Sequence, residues 1–206
     1  MPGKNPRTGE QRGAYAPAVD EPPLTRDEEI AAARIGPPEV LDAPILLADY
    51  DPGWPALFER EAARIRRALG DRALRVEHVG STSVPLLAAK PRIDILLVVA
   101  DSSDEATYVP ALEAAGYVLR IREPAWHEHR MLNGPDTPLN LHVFSSGSPE
   151  VERLLRFRDH LRRSDADRRH YETTKRALAS KKWKDTQHYA DAKTAVVEEI
   201  LARAGR

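Results

Sequence analysis

Apolar positions recur in two periods along this chain, and each change of period marks an element. Thr25 and Glu28 form the signature of a capping box, predicting a helix through Arg34 that Gly36, Pro37 and Pro38 end. Ile45 to Ala48 reads as a short strand, followed by the turn Tyr50-Asp51-Pro52-Gly53-Trp54-Pro55. From about Pro55 to Leu69 the residues Leu57, Phe58, Ala62, Ile65 and Leu69 lie on one helical stripe, which Gly70 closes. Arg75 to Val79 is short, β-branched at two positions and runs into Gly80, the pattern of a strand reaching a turn. Leu86 to Lys90 is compatible with a turn or two of helix, stopped by Pro91. Ile93 to Val99 is apolar except at Asp94, as in a strand buried on both faces.

The second half continues the alternation. A helix is predicted from about Asp104 to Ala115 with Gly116 as its stop. Strands follow at Tyr117 to Ile121, Trp126 to Leu132 and Asn140 to Phe144, with a turn at Asn133-Gly134-Pro135-Asp136. Ser148-Pro149-Glu150 opens a long helix whose buried stripe is Val151, Leu154, Leu155, Phe157, Arg158 and Leu161. Further helices are expected from about Ala166 to Ala179 and from Tyr189 to Ala204. The expected organisation is a disordered arm over 1–23, a helical extension over 24–42, a mixed α/β core over 43–147 and a helical segment over 148–206. The fold class is therefore α+β.

Composition narrows the function classes. The 31 basic and 32 acidic side chains leave a formal charge of −1, which gives no general attraction to nucleic acid or to an anionic membrane. The chain has no cysteine, so thiolate chemistry and disulfides are excluded. The first residues lack the apolar core of a signal peptide and no apolar run has membrane-spanning length, which makes the cytoplasm the expected location.

The candidate chemistry gathers around one hairpin. Gly80-Ser81-Thr82-Ser83 offers hydroxyls and successive N–H groups beside a glycine that lets an anion approach the backbone. The same residues also suit an ordinary strand-to-helix turn with Ser or Thr as its cap. Asp94, at the mouth of an otherwise apolar strand, needs a partner to offset its burial. Asn140 and His142 alternate with Leu141 and Val143, so both leave the same strand face. His142 is then either a ligand or general base, or a core histidine satisfied by a carbonyl. Glu77 and His78 lie on opposite faces of their strand, and at most one reaches a cleft. Lys90, Arg92 and Arg130 are candidate clamps for phosphate or carboxylate. Trp126-His127-Glu128-His129-Arg130 has two histidines on one face but no further ligands at zinc spacing, which favours a substrate-contacting strand. The basic run from Lys175 to Lys184 reads as a solvated face.

GSTSVP, AAKPRIDILLVV, NLHVF and LLRFRDHLR, in that order, resemble the GrpB family over roughly residues 44–204. The resemblance implies a nucleotidyltransferase-like fold, in which a Gly-Ser turn faces an Asp-x-Asp strand. It further implies ATP or another NTP as substrate, with Mg2+ or Mn2+ held by Asp94 together with Glu77 or His142. Catalytic roles would fall to Asp94, His142 and Glu77, and phosphate binding to Gly80, Ser81, Thr82, Ser83 and Lys90. His78, Arg92, Arg130, Asn140, Arg158, Tyr189 and Lys193 would contact a small-molecule acceptor; neither nucleic acid nor membrane is an expected partner. Two positions depart from the implied patterns: Leu96 stands where the Asp-x-Asp strand of the nucleotidyltransferase-fold superfamily has its second carboxylate, and Leu86 where a glycine often follows the proline in the GrpB family. Leu96 keeps open a second reading, a binding or assembly module that has the fold without nucleotidyl transfer.

Overall fold

The computed structural model describes residues 24–37 and 45–205, so the arm expected over 1–23 and the start of the core near Ala43 lie outside it. Its centre is a five-stranded mixed sheet of β1 (Arg75–Val79), β2 (Ile93–Val99), β3 (Val118–Glu123), β4 (His129–Asn133) and β5 (Leu139–Ser145). The order across the sheet is β1-β2-β5-β4-β3; β2 and β5 run parallel and the other neighbours antiparallel. The fold is α+β: the Gly-Ser turn follows an edge strand, and the acidic position opens the strand beside it.

Period-two alternation gives the sheet two unlike faces. On one, Val76, Ile93, Ile95, Leu97, Leu139, Leu141 and Val143 are buried under α2 (Trp54–Leu69), which contributes Phe58, Ala62, Ile65 and Leu69. Each fully buried Leu or Ile there stabilises the fold by roughly 2 kcal/mol. On the other face Val79, Leu96, Val98 and Phe144 pack under Val151 and Leu155 of α4 (Pro149–Arg163). Asp94, Asn140 and His142 share that second face through the registers Asp94↔Asn140 and Leu96↔His142.

Five expectations change in the structure, four of them before the helical segment. Leu86 to Lys90 is not helical: Leu86 is left-handed (φ 65°), and Ala89 exchanges backbone hydrogen bonds of 2.8 and 2.9 Å with Ala48. A run this short between prolines cannot repay helix nucleation, whereas pairing satisfies its backbone at once. The strand expected at Ile45 to Ala48 is reduced to that single bridge. The strand expected from Trp126 starts only at His129, because His127 and Glu128 turn left-handed (φ 54° and 50°). Between β2 and β3 the expected helix is a short turn, Glu105–Thr107, followed by α3 (Val109–Ala114).

The helical segment continues with α5 (Asp165–Ala179), α6 (Thr186–Asp191) and α7 (Thr194–Arg203). What the sequence suggests is one last helix is two, parted at Lys193. The capping box of Thr25 and Glu28 opens α1 (Arg26–Ala33), whose Arg26 reaches Asp191 at 2.8 Å. Among the described residues no helix is long and apolar enough to cross a membrane.

Candidate functional site

Gly80 adopts φ 67° and ψ −172°, a region that residues with a Cβ avoid. The missing Cβ is what lets Asp94 lean on the turn: a Cβ there would fall 2.2 Å from Asp94 Oδ2. Asn140 donates from Nδ2 to Asp94 Oδ1 at 2.9 Å, and Arg92 donates to Asn140 Oδ1 at 3.2 Å. His142 Nε2 stands 3.7 Å from Asp94 Oδ1, with 29% of each side chain exposed. Burial works against the ionised Asp94, but His142, the Asn140 amide and the Lys193 charge together hold its pKa below the usual carboxylate value.

Only part of the hydroxyl turn faces this gap. Thr82 Oγ1 is hydrogen-bonded to His78 Nε2 at 3.0 Å, and Ser83 donates to the Gly80 carbonyl at 2.6 Å; both residues are buried. Thr82 and Ser83 therefore hold the turn together rather than presenting their hydroxyls to a ligand. Ser81 is the exception, because Lys175 Nζ donates to its Oγ at 3.0 Å and also to the Ala88 carbonyl.

Lysines reach the gap from the helical segment. Lys175 is 2% exposed, and burial followed by the Lys193 charge lowers its pKa to about 7. Lys193 is brought down to about 8, first by burial and then by Lys90. Each rides over a tyrosine four residues upstream: Lys175 Nζ is 4.9 Å from the Tyr171 ring centre and Lys193 Nζ 4.8 Å from that of Tyr189. Lys90 Nζ lies 5.6 Å from the same Tyr189 ring. The Tyr189 hydroxyl is buried and has no hydrogen-bond partner among the described residues.

The structure thus brings together Gly80, Ser81, Lys90, Arg92, Asp94, Asn140, His142, Tyr189 and Lys193. It separates four others. Glu77 is corrected as a metal ligand and catalytic group, since Arg158 donates to its carboxylate at 2.8 Å and Arg75 at 3.1 Å. Arg158 is corrected as a substrate contact: it is buried, also donates to the His78 carbonyl at 3.0 Å, and anchors α4 to β1. His78 stacks on Phe58 with ring centres 4.8 Å apart, and burial pushes its pKa down to about 4, so it is a neutral core side chain. Arg130 lies on the α2 face of β4 and is paired with Glu105 and Glu128.

The expectation of magnesium or manganese meets an unsuitable donor set. Asp94 is accompanied by an amide, an imidazole and lysine charge, whereas Mg2+ takes oxygen ligands in octahedral order. Leu96, the second carboxylate position, is fully buried under α4. Among the described residues no group of three His, Asp or Glu side chains is arranged to hold a metal ion. The residues present do not fit a resident divalent cation.

Lys175 and Glu123 are neighbours that the sequence reading missed, and His129 it placed on a substrate-contacting strand without its link to His142. For Lys175 the signal was present: Tyr171 and Lys175 repeat the four-residue spacing of Tyr189 and Lys193. Glu123 carries no such mark, and the relation of both Glu123 and His129 to His142 runs across strand pairings that no local pattern shows.

A family model described as GrpB protein matches residues 44–203. The chain belongs to the GrpB family. A UPF0157 protein of Halalkalibacterium halodurans is 60% identical over 178 residues, covering 86% of this chain and 91% of that one. The crystal structure of the conserved protein GrpB from Enterococcus faecalis superposes with a TM-score of 0.68 at 33% identity, over 77% of this chain and 96% of that one. Crystal structures of the Cid1 poly(U) polymerase align far more loosely, with a TM-score of 0.39 at 13% identity over 62% of this chain and 45% of that one. The match to the GrpB model takes in every residue of the gap, from Gly80 to Lys193.

Proposed function

We propose that this GrpB chain binds a nucleoside triphosphate in the gap and presents it to a small acceptor for nucleotidyl transfer or adenylation. The phosphates take the Gly80-Ser81 backbone, Lys90, Lys175 and Lys193; Asp94, Asn140 and His142 face the reacting group. The observation that carries this reading is the Lys175–Ser81 contact of 3.0 Å, which brings a buried cation from α5 onto the turn that Asp94 leans over. A buried cation this costly to desolvate is explained by an anionic ligand that arrives later. Without a resident metal, the lysines supply the positive charge that opposes the phosphates. Cytoplasmic nucleotide is the matching pool.

Thermal unfolding with ATP, GTP, CTP or UTP tests binding, because a ligand of the folded state raises the melting temperature by mass action. At 100 times Kd the gain is about 2.7 kcal/mol. Each nucleotide is used with EDTA and with Mg2+. The reading expects a rise that Lys175→Met and Lys193→Met reduce, and no rise with any nucleotide under either condition overturns it. Burial of Leu96 favours a second reading, nucleotide binding without transfer. Pyrophosphate release across a panel of hydroxyl and carboxylate acceptors separates the two.

A further inference from the structure

A line of hydrogen-bonding groups crosses the sheet behind His142. Glu123 Oε2 lies 2.7 Å from His129 Nδ1, and His129 Nε2 lies 3.0 Å from His142 Nδ1. The strand registers fix this line, since Glu123 pairs with His129 across β3 and β4, and β4 pairs with β5. His129 is 4% exposed, and its ring stacks on Phe144 with centres 4.8 Å apart. Trp126 sets an edge against it at 5.1 Å. The ring is thus clamped, and only its proton positions are free to vary.

Donor and acceptor counting decides those positions. The Glu123 carboxylate accepts only, so the His129 proton sits on Nδ1 and the His129 Nε2 lone pair faces His142. That lone pair needs a donor, so the His142 proton sits on Nδ1. Nothing then remains on His142 Nε2 but a lone pair, aimed at the gap. Its 3.7 Å separation from Asp94 is beyond a direct hydrogen bond.

We propose that Glu123 and His129 are positioning residues that hold neutral His142 in the Nδ1–H tautomer, with Nε2 as the proton acceptor of the gap. A ligand hydroxyl or amine that comes within hydrogen-bond distance of both Nε2 and Asp94 loses its proton to Nε2, keeping the electron pair on its own oxygen or nitrogen. The imidazolium so formed stands beside the Asp94 carboxylate and is hydrogen-bonded through His129 to Glu123. This is the orienting logic of a catalytic triad lengthened by one imidazole. It deepens the nucleotide reading by assigning the acceptor's proton, but its test needs no nucleotide.

The test is the tautomer of His142, read from imidazole 15N shifts and two-bond 1H–15N couplings at pH 8 in the unliganded protein. The expected result is Nδ1–H on both His142 and His129 in the native chain. In Glu123→Ala and in His129→Phe, His142 reverts to Nε2–H, the form free imidazole side chains favour. A native His142 that carries its proton on Nε2, or on both nitrogens at pH 8, overturns the proposal. So does an Nδ1–H tautomer that persists in either folded variant. Should His129→Phe not fold, Glu123→Ala decides alone, since Glu123 lies at the partly exposed end of the line. Failure of the thermal-shift assay with nucleotides leaves this measurement unaffected, and the reverse also holds.

Discussion

Asp94 occupies the space that a side chain on Gly80 would need: a Cβ there would lie 2.2 Å from Asp94 Oδ2 and 2.9 Å from its Cβ. Gly80→Ala therefore meets two separate penalties. The backbone region costs about 1–3 kcal/mol for a residue other than glycine, and the clash expels Asp94 from its bond to Asn140. The expected outcome is a clear fall in melting temperature. In an Asp94→Ala background the same change costs less, because the 2.2 Å clash with the carboxylate oxygen has gone while the 2.9 Å approach to the Cβ of residue 94 and the backbone strain remain. A double-mutant cycle by chemical denaturation reads the difference, and strict additivity would contradict the packing described.

Leu96→Asp would complete an Asp-x-Asp pattern on β2, yet it is expected to damage the protein rather than create a metal site. Leu96 is fully buried among Val79, Val98, Phe144, Val151 and Leu155, so the new carboxylate has no partner there. Burying an unpaired charge belongs to the short list of changes that cost more than about 4 kcal/mol. Soluble yield and urea midpoint check this. A folded variant that gained Mg2+-dependent stability would show that α4 yields at this point.

How far the sequence reached follows from which interactions are local. The stripe of α2, the capping box at Thr25 and the apolar run of β2 were legible because each is written in consecutive residues. The partners of Asp94 were legible only in part: Asn140 and His142 share a strand, and alternation alone put them on one face. Lys175 was read as part of a solvated run, although its spacing from Tyr171 repeats that of Lys193 from Tyr189; the Ser81 partner that explains its burial is 94 positions away. Glu77 was misassigned for the complementary reason. Its strand face was right, but Arg158, 81 positions away, takes its carboxylate before any ligand can. Leu86 is the instructive case: the position is left-handed, at φ 65°, although a leucine and not a glycine holds it.

Affinity for an anion should fall as pH rises through the range of the lysines. In the free protein Lys175 titrates near 7 and Lys193 near 8, both lowered first by burial. A bound anion raises both values, so the complex holds more protons than the free protein, and binding weakens as pH climbs above them. Each lysine that is neutral in the free state and charged in the complex costs about tenfold in affinity per pH unit. Sulfate is the cleanest probe, because its own charge is constant from pH 6 to 9. Calorimetry in buffers of different ionisation enthalpy should register proton uptake at pH 8 that Lys175→Met diminishes. Flat affinity with no proton uptake would mean that the lysines do not meet the anion.

Stability should decline on the acid side within a window set by buried histidines. Burial lowers His78 and His129 to about 4, against about 6.5 for an unfolded chain. Between these values the unfolded state binds the extra protons, so stability rises with pH there. The contribution is complete above about 6.5 and is lost as pH falls toward 4. His78→Phe keeps the stacking surface against Phe58 and removes one of the two protonations. Its unfolding free energy should change less between pH 6.5 and 4 than that of the native chain, whatever the absolute stability. Equal slopes for the two proteins would show that His78 is not buried in its neutral form.

Glu77→Gln and Asp94→Asn are expected to differ in their effect on anion affinity, and the contrast separates a structural carboxylate from one in the site. Glu77 pairs with Arg158 and Arg75 and is partly exposed, so its loss costs roughly 1 kcal/mol and leaves sulfate affinity unchanged. Asp94 instead shares the gap with Lys193, and its charge repels any anion that enters. Asp94→Asn keeps the side-chain shape and removes that repulsion, so sulfate and metal-free nucleotide should bind more tightly than to the native chain. A divalent cation bridging Asp94 to the phosphates would reverse this, since losing the carboxylate would then weaken binding of the Mg2+ complex. Titrating the native chain and both variants with ATP, in EDTA and in Mg2+, therefore reads out how the phosphate charge is balanced. Weaker binding to Asp94→Asn confined to the Mg2+ series would assign Asp94 to the cation, and tighter binding in both series would assign the balance to the lysines.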